Sequence, residues 1–308
     1  MINKEIIGYI ATKTGIKRRD LLEKDLVLHQ ILSLFFKDKH FSNNYVFKGG
    51  TCLIKCYLGY YRFSEDLDFS WIEQKIFDKK TEKQIRKELS QEITNLAKLL
   101  ENIAHRLGLN FRADKTDLKF IEFGGNNKFA TFKIWYTSVE LGNDQFMKIQ
   151  INYVERFMNK IKQIKAKNIL EEKKIDAKEF SFLFPNNEVL LETIDTNAYD
   201  IKEIAIEKMR AILTRKGIKA RDYVDLYMIE KRYKIKIENL KNEILEKTRF
   251  MLRYEKYGEN LKAKAESKPI FALGAEDGLL LQPLDEKFYD FMKRTNGFAD
   301  DLIREILK

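Results

Sequence analysis

Between residues 21 and 36 the chain reads LLEKDLVLHQILSLFF, with apolar positions recurring at the spacing of a buried helix face. The first 40 residues are expected to be helical throughout. A short apolar run at 45–47 then stops at Gly49-Gly50, as a strand does when it runs into a turn. Thr51 is expected to cap a helix over 52–58. From Phe63 onward the pattern changes to period two: Leu67 and Phe69 alternate with Asp66 and Asp68, the signature of a half-buried strand over 66–71. A long charged helix is predicted over 81–107, ended by Gly108. Three strand-like runs follow, at 118–123, 129–137 and 146–153. The first two are separated by a hairpin turn at Gly124-Gly125-Asn126-Asn127, and a second turn at Gly142-Asn143-Asp144 precedes the third. After Pro185 the pattern becomes helical, at 199–215, 219–231, 235–254 and the final 20 residues. Residues 264–285, with Pro269, Gly274, Gly278 and Pro283, read as loop. No internal repeat is evident. The fold class is α/β and bilobed: a lobe with a mixed β-sheet over 1–190, then an α-helical lobe over 191–308.

Composition narrows this picture in three ways. The 308 residues are 44% hydrophobic and 34% charged, enough apolar material for a core and too evenly mixed for disorder. No run of 18 apolar residues predicts a membrane span, and the N-terminus lacks a signal-peptide core, so a cytoplasmic protein is expected. The net charge of +10 favours a polyanionic partner such as nucleic acid. The only cysteines, Cys52 and Cys56, have no histidine nearby to complete a zinc set, and the three histidines, His29, His40 and His105, are scattered. A hydrolase built on a Ser–His or Cys–His pair therefore has little support.

The chemistry concentrates in FKGGTCLIKCYLGYYRFSEDLDF, residues 47–69. Residues i and i+2 of a strand share a face, so Asp66 and Asp68 stand side by side. Two adjacent carboxylates repel unless a cation lies between them, and a divalent metal with hard oxygen ligands supplies it. Gly49 and Gly50 let backbone N–H groups approach an anion closely. Arg62 has the planar fork that meets phosphate, and Ser64 can steady the turn or contact a nucleotide. The second cluster is DIKEIAIEKMRAILTRKGIKARDYVDLYMI, residues 200–229. Lys208 lies in line with Ile204 and Ile212 on the apolar face of its helix, with Arg215 continuing the line. A cation there needs an anion, either a nucleotide phosphate or Asp222. Arg210 and Lys216 fit the role of solvated surface charges. Asp222 and Asp225 share one face of the next helix, after Arg221.

Taken together, Gly49-Gly50-Thr51, Arg62 through Asp68, Glu207-Lys208, Arg215, Arg221-Asp222 and Asp225 resemble the nucleotidyltransferase-like AbiEii/AbiGii toxin family. That family occurs in bacterial abortive-infection toxin–antitoxin systems, within the wider polymerase-β-like superfamily. The resemblance implies a nucleotidyltransferase-fold lobe, a helical lobe and an active site in the cleft. It implies a nucleoside triphosphate as substrate, Mg2+ (or Mn2+) on Asp66 and Asp68, and triphosphate contacts from Gly50 and Thr51, beside which Gly49, Arg62 and Ser64 are the further nucleotide-binding candidates. Lys208 would neutralise phosphate charge and Asp222 would act as a catalytic residue. Some relatives add nucleotides to the acceptor end of tRNA, and a DNA-binding antitoxin is usually encoded alongside.

One departure stands out. The superfamily generally carries a third carboxylate on a later strand, which here reads Met147-Lys148-Ile149-Gln150-Ile151-Asn152 and offers only the neutral amides of Gln150 and Asn152. Glu155 is near but out of the strand pattern, and Asp222 is the candidate replacement. The expected reaction is transfer of a nucleotide to an acceptor, RNA such as tRNA above all. Basic residues at Arg156, Lys160, Lys162, Lys165 and Lys167, and the basic–aromatic run from Arg249 to Tyr257, are the candidate RNA contacts, or else solvated faces and core rings. The alternatives are transfer to a protein or small molecule, and a catalytically weakened protein that binds nucleotide or RNA.

Overall fold

A computed structural model describes residues 2–77, 80–125, 127–266 and 278–308. The chain divides into two compact units, Met1–Glu155 with Lys162–Ala198, and Arg156–Ile161 with Tyr199–Lys308.

The first unit opens with three helices, α1 (Lys4–Thr14), α2 (Arg19–Lys37) and α3 (Lys39–Asn44). The strands are β1 (Tyr45–Lys48), β2 (Asp66–Trp71), β3 (Ile121–Gly124), β4 (Phe129–Thr137), β5 (Asp144–Asn152), β6 (Lys162–Ala166) and β7 (Ile194–Ala198). They form one mixed sheet in the order β3-β4-β5-β2-β1-β7-β6. β2 lies beside β1 antiparallel and beside β5 parallel. Strict alternation makes β4: Ala130, Phe132, Ile134 and Tyr136 are buried, and the residues between them are not. Phe69 of β2 meets Phe35 and Phe41 edge-on, while Phe41 stacks on Phe35 at 4.2 Å and on Tyr45 at 4.6 Å. Between β1 and β2 run a single turn, α4 (Gly49–Cys52), and a π-helical turn, Leu53–Leu58. The long helix α5 (Glu82–Leu107) begins at a capping box between Thr81 and Gln84 and ends at Gly108 in the left-handed conformation. The short helices α6 (Ile169–Glu172) and α7 (Ala177–Leu183) lie between β6 and β7.

Three expectations change at this level. Thr51 does not cap a helix: the backbone enters α4 at Gly49 with Lys48 as its cap, and the buried Thr51 hydroxyl donates to the Asp66 carbonyl instead. The basic residues Lys162 and Lys165 belong to edge strand β6, where lysines discourage further strand pairing. Residues 264–266 close a helix rather than start a loop. Asn126 of the expected hairpin turn and 267–277 of the expected loop lie outside the described residues; β3 and β4 do pair antiparallel.

The second unit is helical: α8 (Ile201–Thr214), α9 (Ala220–Tyr233), α10 (Lys241–Met251), α11 (Glu255–Glu266) and α12 (Lys287–Leu307). Lys247 of α10 is fully buried and pairs with Glu203 at 2.5 Å and Glu207 at 2.9 Å on α8. Glu203 also accepts from the backbone N–H groups of Met158 and Asn159, which fixes the 156–161 segment to this unit.

In the first unit α2 anchors the stretch between β1 and β2 by buried charge. Lys55, from the π-helical turn, lies 2.9 Å from the Asp25 carboxylate and donates to the Tyr60 phenol at 2.5 Å, while Tyr60 donates to Asp25 at 2.8 Å. One turn further along α2, His29 meets the Glu192 carbonyl at 3.0 Å. Burial, helped by the Lys55 ammonium, lowers its pKa from 6.5 to about 3. The folded chain keeps His29 neutral while the unfolded chain takes up a proton below 6.5, so stability falls as pH drops from 6.5 toward about 3.

Two outcomes are expected. Asp25→Ala strands the Lys55 ammonium and should cost about 3–5 kcal/mol in urea unfolding; an unchanged midpoint would refute the anchoring role. His29→Gln should flatten the acid limb of the stability profile below pH 6.5 by about 1.4 kcal/mol per pH unit, the slope of one proton.

Candidate active site

The turn after β1 is shaped by what surrounds it. Gly49 takes a left-handed φ of +78°, and a Cβ placed on it would lie 2.8 Å from Cγ of Asp68. A Cβ on Gly50 would come within 2.6 Å of the Arg62 guanidinium and 3.0 Å of the Ser64 hydroxyl. Both glycines therefore exist for close approach. The hydroxyl of Thr51 ties the same turn to the first residue of β2. Gly49, Gly50, Thr51, Arg62, Ser64, Asp66 and Asp68 thus form one constellation within the first unit. Arg62 is buried, donates to the Phe63 carbonyl at 2.7 Å and lies over the Tyr61 ring at 5.7 Å. Its guanidinium is held in place from the protein side.

Sheet register defines the face on which the carboxylates stand. Leu67 and Phe69 are buried on one side of β2, whereas Asp66 and Asp68 are half-buried on the other. Directly paired residues share a face, so Asp68 has Lys48 of β1 on one side and Gln150 of β5 on the other, and Asp66 has Lys148. The strand expected to carry a third acid is indeed adjacent, and the residue level with Asp68 is an amide. Among the described residues the Gln150 amide reaches only toward the Thr131 hydroxyl, at 3.5 Å. Asn152 donates to Glu155 at 2.7 Å, and Glu155 also holds Lys48 at 3.1 Å. Lys48 and Lys148, flanking the carboxylates in register, went unnoticed in the sequence. The available signal was their place in the alternating pattern, immediately before Gly49 and two residues before Gln150.

Among the described residues no group of three or more His, Cys, Asp or Glu side chains is arranged to hold a metal ion. The donors at the turn are two hard carboxylates on one strand face, with Gly49 leaving room beside Asp68. That set fits Mg2+, which commonly takes one or two carboxylates and completes its shell with water and substrate phosphate. It does not fit zinc.

The second unit carries the other predicted residues. Lys208 of α8 lies 2.6 Å from Asp225 and 3.1 Å from Asp222 of α9, and Arg215 pairs with the second oxygen of Asp222. Both ways of satisfying Lys208 were open in the sequence; here it is met by carboxylates. Burial pushes the Asp222 carboxyl up, but Lys208 and Arg215 together outweigh it, so its pKa lies below the ordinary aspartate value. Its contribution to stability is present above the ordinary pKa of 3.8 and is lost as pH falls below it. Arg210, expected as a surface charge, pairs with Glu207 at 3.0 Å. Arg156 pairs with Glu246 at 2.6 Å, and the Arg253 guanidinium stacks on Phe250 at 3.7 Å. Lys208→Met should destabilise the protein by about 3–5 kcal/mol, because it removes the ammonium that two buried carboxylates share. The exposed Lys216→Met should stay within about 0.5 kcal/mol in the same thermal unfolding measurement.

A family model described as the AbiEii nucleotidyl transferase toxin of a type IV toxin–antitoxin system matches residues 30–307, all but the first 29 residues and the last. No curated protein matches the chain. Among solved structures, JHP933 from Helicobacter pylori is 18% identical, with 93% of each chain covered and a TM-score of 0.45. MenT4, a nucleotidyltransferase toxin from Mycobacterium tuberculosis, is 16% identical over 97% of this chain and 98% of its own, with a TM-score of 0.43. No helix among the described residues is long and apolar enough to cross a membrane. The family match spans both the glycine turn with its two carboxylates and the lysine helix, and the chain belongs to the AbiEii family of nucleotidyltransferase toxins.

Proposed function

We propose that this nucleotidyltransferase takes a nucleoside triphosphate and transfers its nucleotide to an RNA acceptor such as tRNA, with Mg2+ (or Mn2+) held by Asp66 and Asp68 and a cognate antitoxin as partner. The observation that carries the reading is the fit of Gly49 against Asp68: backbone and carboxylate approach so closely that only a glycine can stand there. An anion cradled by the turn would lie directly beside the two acids. In the reaction an acceptor hydroxyl attacks the α-phosphate, the new O–P bond forms as the bond to the β-phosphate oxygen breaks, and pyrophosphate and a proton leave. The metal, when bound, offsets the negative charge on the transferring phosphoryl group. Backbone N–H groups of Gly49 and Gly50 are suited to hold phosphate oxygens. The buried Arg62 guanidinium supplies fixed positive charge beside Gly50 without reorganising. Leu67 and Phe69, packed on the far side of β2, keep the two carboxylates from rotating away.

The test is an incubation with each of the four α-32P-labelled nucleoside triphosphates, total RNA and total protein. Label is expected in RNA, and Asp68→Asn should reduce it roughly 100-fold or more while the circular dichroism melt stays cooperative. Label confined to protein or to a small molecule would overturn the RNA reading. Labelling that survives Asp66→Asn and Asp68→Asn would overturn the assigned site.

A further inference from the structure

The face of the sheet that bears Asp66 and Asp68 does not end at β5. Register carries it outward through paired residues, Lys148 with Lys133, Gln150 with Thr131, and Phe146 with Trp135. All of these stand on the same side of the sheet as the two carboxylates. Phe146 is two residues along β5 from Lys148, the register partner of Asp66. Its Cα is therefore about 8 Å from that of Asp66, one strand spacing across and two residues along.

The composition of this outer face is unlike a core or a plain solvated surface. Phe146 and Trp135 rings lie 4.9 Å apart, and Phe146 keeps 36% of its surface exposed. Trp135 is fixed by its indole N–H, which donates to the Lys119 carbonyl at 3.1 Å. Lys119 places its ammonium 5.2 Å from the Trp135 ring centre, and Lys148 places its own 5.9 Å from that of Phe146. Lys133 is held by Glu122, so it is not counted as available charge. Lys119 and Lys148 enter no ion pair among the described residues; their contacts are the rings and, for Lys119, backbone.

We propose that this outer face is the acceptor platform of the enzyme, binding single-stranded RNA with its bases against Phe146 and Trp135 and its phosphates against Lys119 and Lys148. The inference rests on the reading that RNA is the acceptor, and it names where the strand lies. Aromatic rings set among unpaired lysines on an open sheet face are the arrangement that binds single strands with little sequence preference, rings meeting bases and ammonium groups meeting backbone. An acidic protein segment would satisfy the lysines but would have no use for the rings. Continuity with Asp66 gives the direction: the reacting end of the strand lies at the carboxylates, and the preceding nucleotides run outward over β5 and β4.

The experiment measures binding of a fluorescein-labelled single-stranded RNA 12-mer to the full chain by fluorescence anisotropy, without nucleoside triphosphate and at several salt concentrations. Phe146→Ala should weaken binding about tenfold, and Phe146→Tyr, which keeps a ring, should bind as the parent protein does. Lys148→Ala should weaken binding and lower the salt slope by about one. Nucleoside triphosphate affinity and the melting temperature should be unchanged in both Phe146 variants. Unchanged RNA affinity in both alanine variants, no RNA binding by the parent, or preferential binding of polyglutamate would overturn the proposal. If the parent binds RNA through this face but labels none of it, the platform stands and the transfer reading fails. If RNA is labelled but the variants bind as the parent does, the transfer reading stands and the platform fails.

Discussion

The close packing of Gly49 against the Asp68 carboxylate is the constraint on which the first unit depends. A side chain at position 49 would overlap Asp68, and a side chain at 50 would press on Arg62 and Ser64. The positive φ at Gly49 then fixes the angle at which β1 leaves the sheet and α4 begins. From there the chain must return within a few turns to start β2 antiparallel to β1. Lys55 and Tyr60, locked onto Asp25 of α2, hold that return path, and Thr51 closes it onto the Asp66 carbonyl. Two carboxylates side by side on a strand are costly in isolation. Here they lie on a strand whose other face is fully buried, in backbone register with Lys48 and Lys148 of the neighbouring strands.

Buried charge is organised differently in the two units. In the first, single ion pairs and hydrogen bonds radiate from α2: Glu23 accepts from Ser138 and the Val139 N–H, Asp25 holds Lys55, and His29 stays neutral against a carbonyl. In the second, α8 carries two sets of opposite charge, Lys208 with Asp222 and Asp225, and Glu203 with Glu207 around Lys247. Such sets contribute less to net stability than apolar packing of equal volume would, but they tolerate no single deletion. They make the arrangement of α8 against α9 and α10 specific.

Much of this was legible in the chain, for identifiable reasons. Strands β2 and β4 were readable to the residue because they alternate cleanly and one face of each is buried. That Lys208 needs an anion followed from its position on an apolar helix face; that the anion is a carboxylate did not. Elements β6 and β7 were not readable. KQIKA and IDTNA are five residues long, rich in polar side chains and near one edge of the sheet, so neither burial nor period marks them. Thr51 misled because the helical turn begins two residues earlier, at Gly49, which leaves its hydroxyl inside the turn and free to meet the Asp66 carbonyl. Nor does local pattern reveal cross-strand neighbours: Lys148 and Gln150 acquire meaning only when β5 is laid parallel beside β2.

The π-helical turn at Leu53–Leu58 closes with the Gly59 N–H on the Ile54 carbonyl, five residues back rather than four. It holds one residue more than an ordinary helical turn of the same reach. Loss of a single residue there would tighten the turn and rotate everything on one side of it by about 100° relative to the other. Lys55 would swing away from Asp25, and the return to β2 would arrive out of phase with Asp68. This segment is therefore sensitive to length as well as to chemistry: a one-residue deletion or insertion in the π-helical turn shifts every residue between it and Asp66 out of phase, whatever side chains they carry.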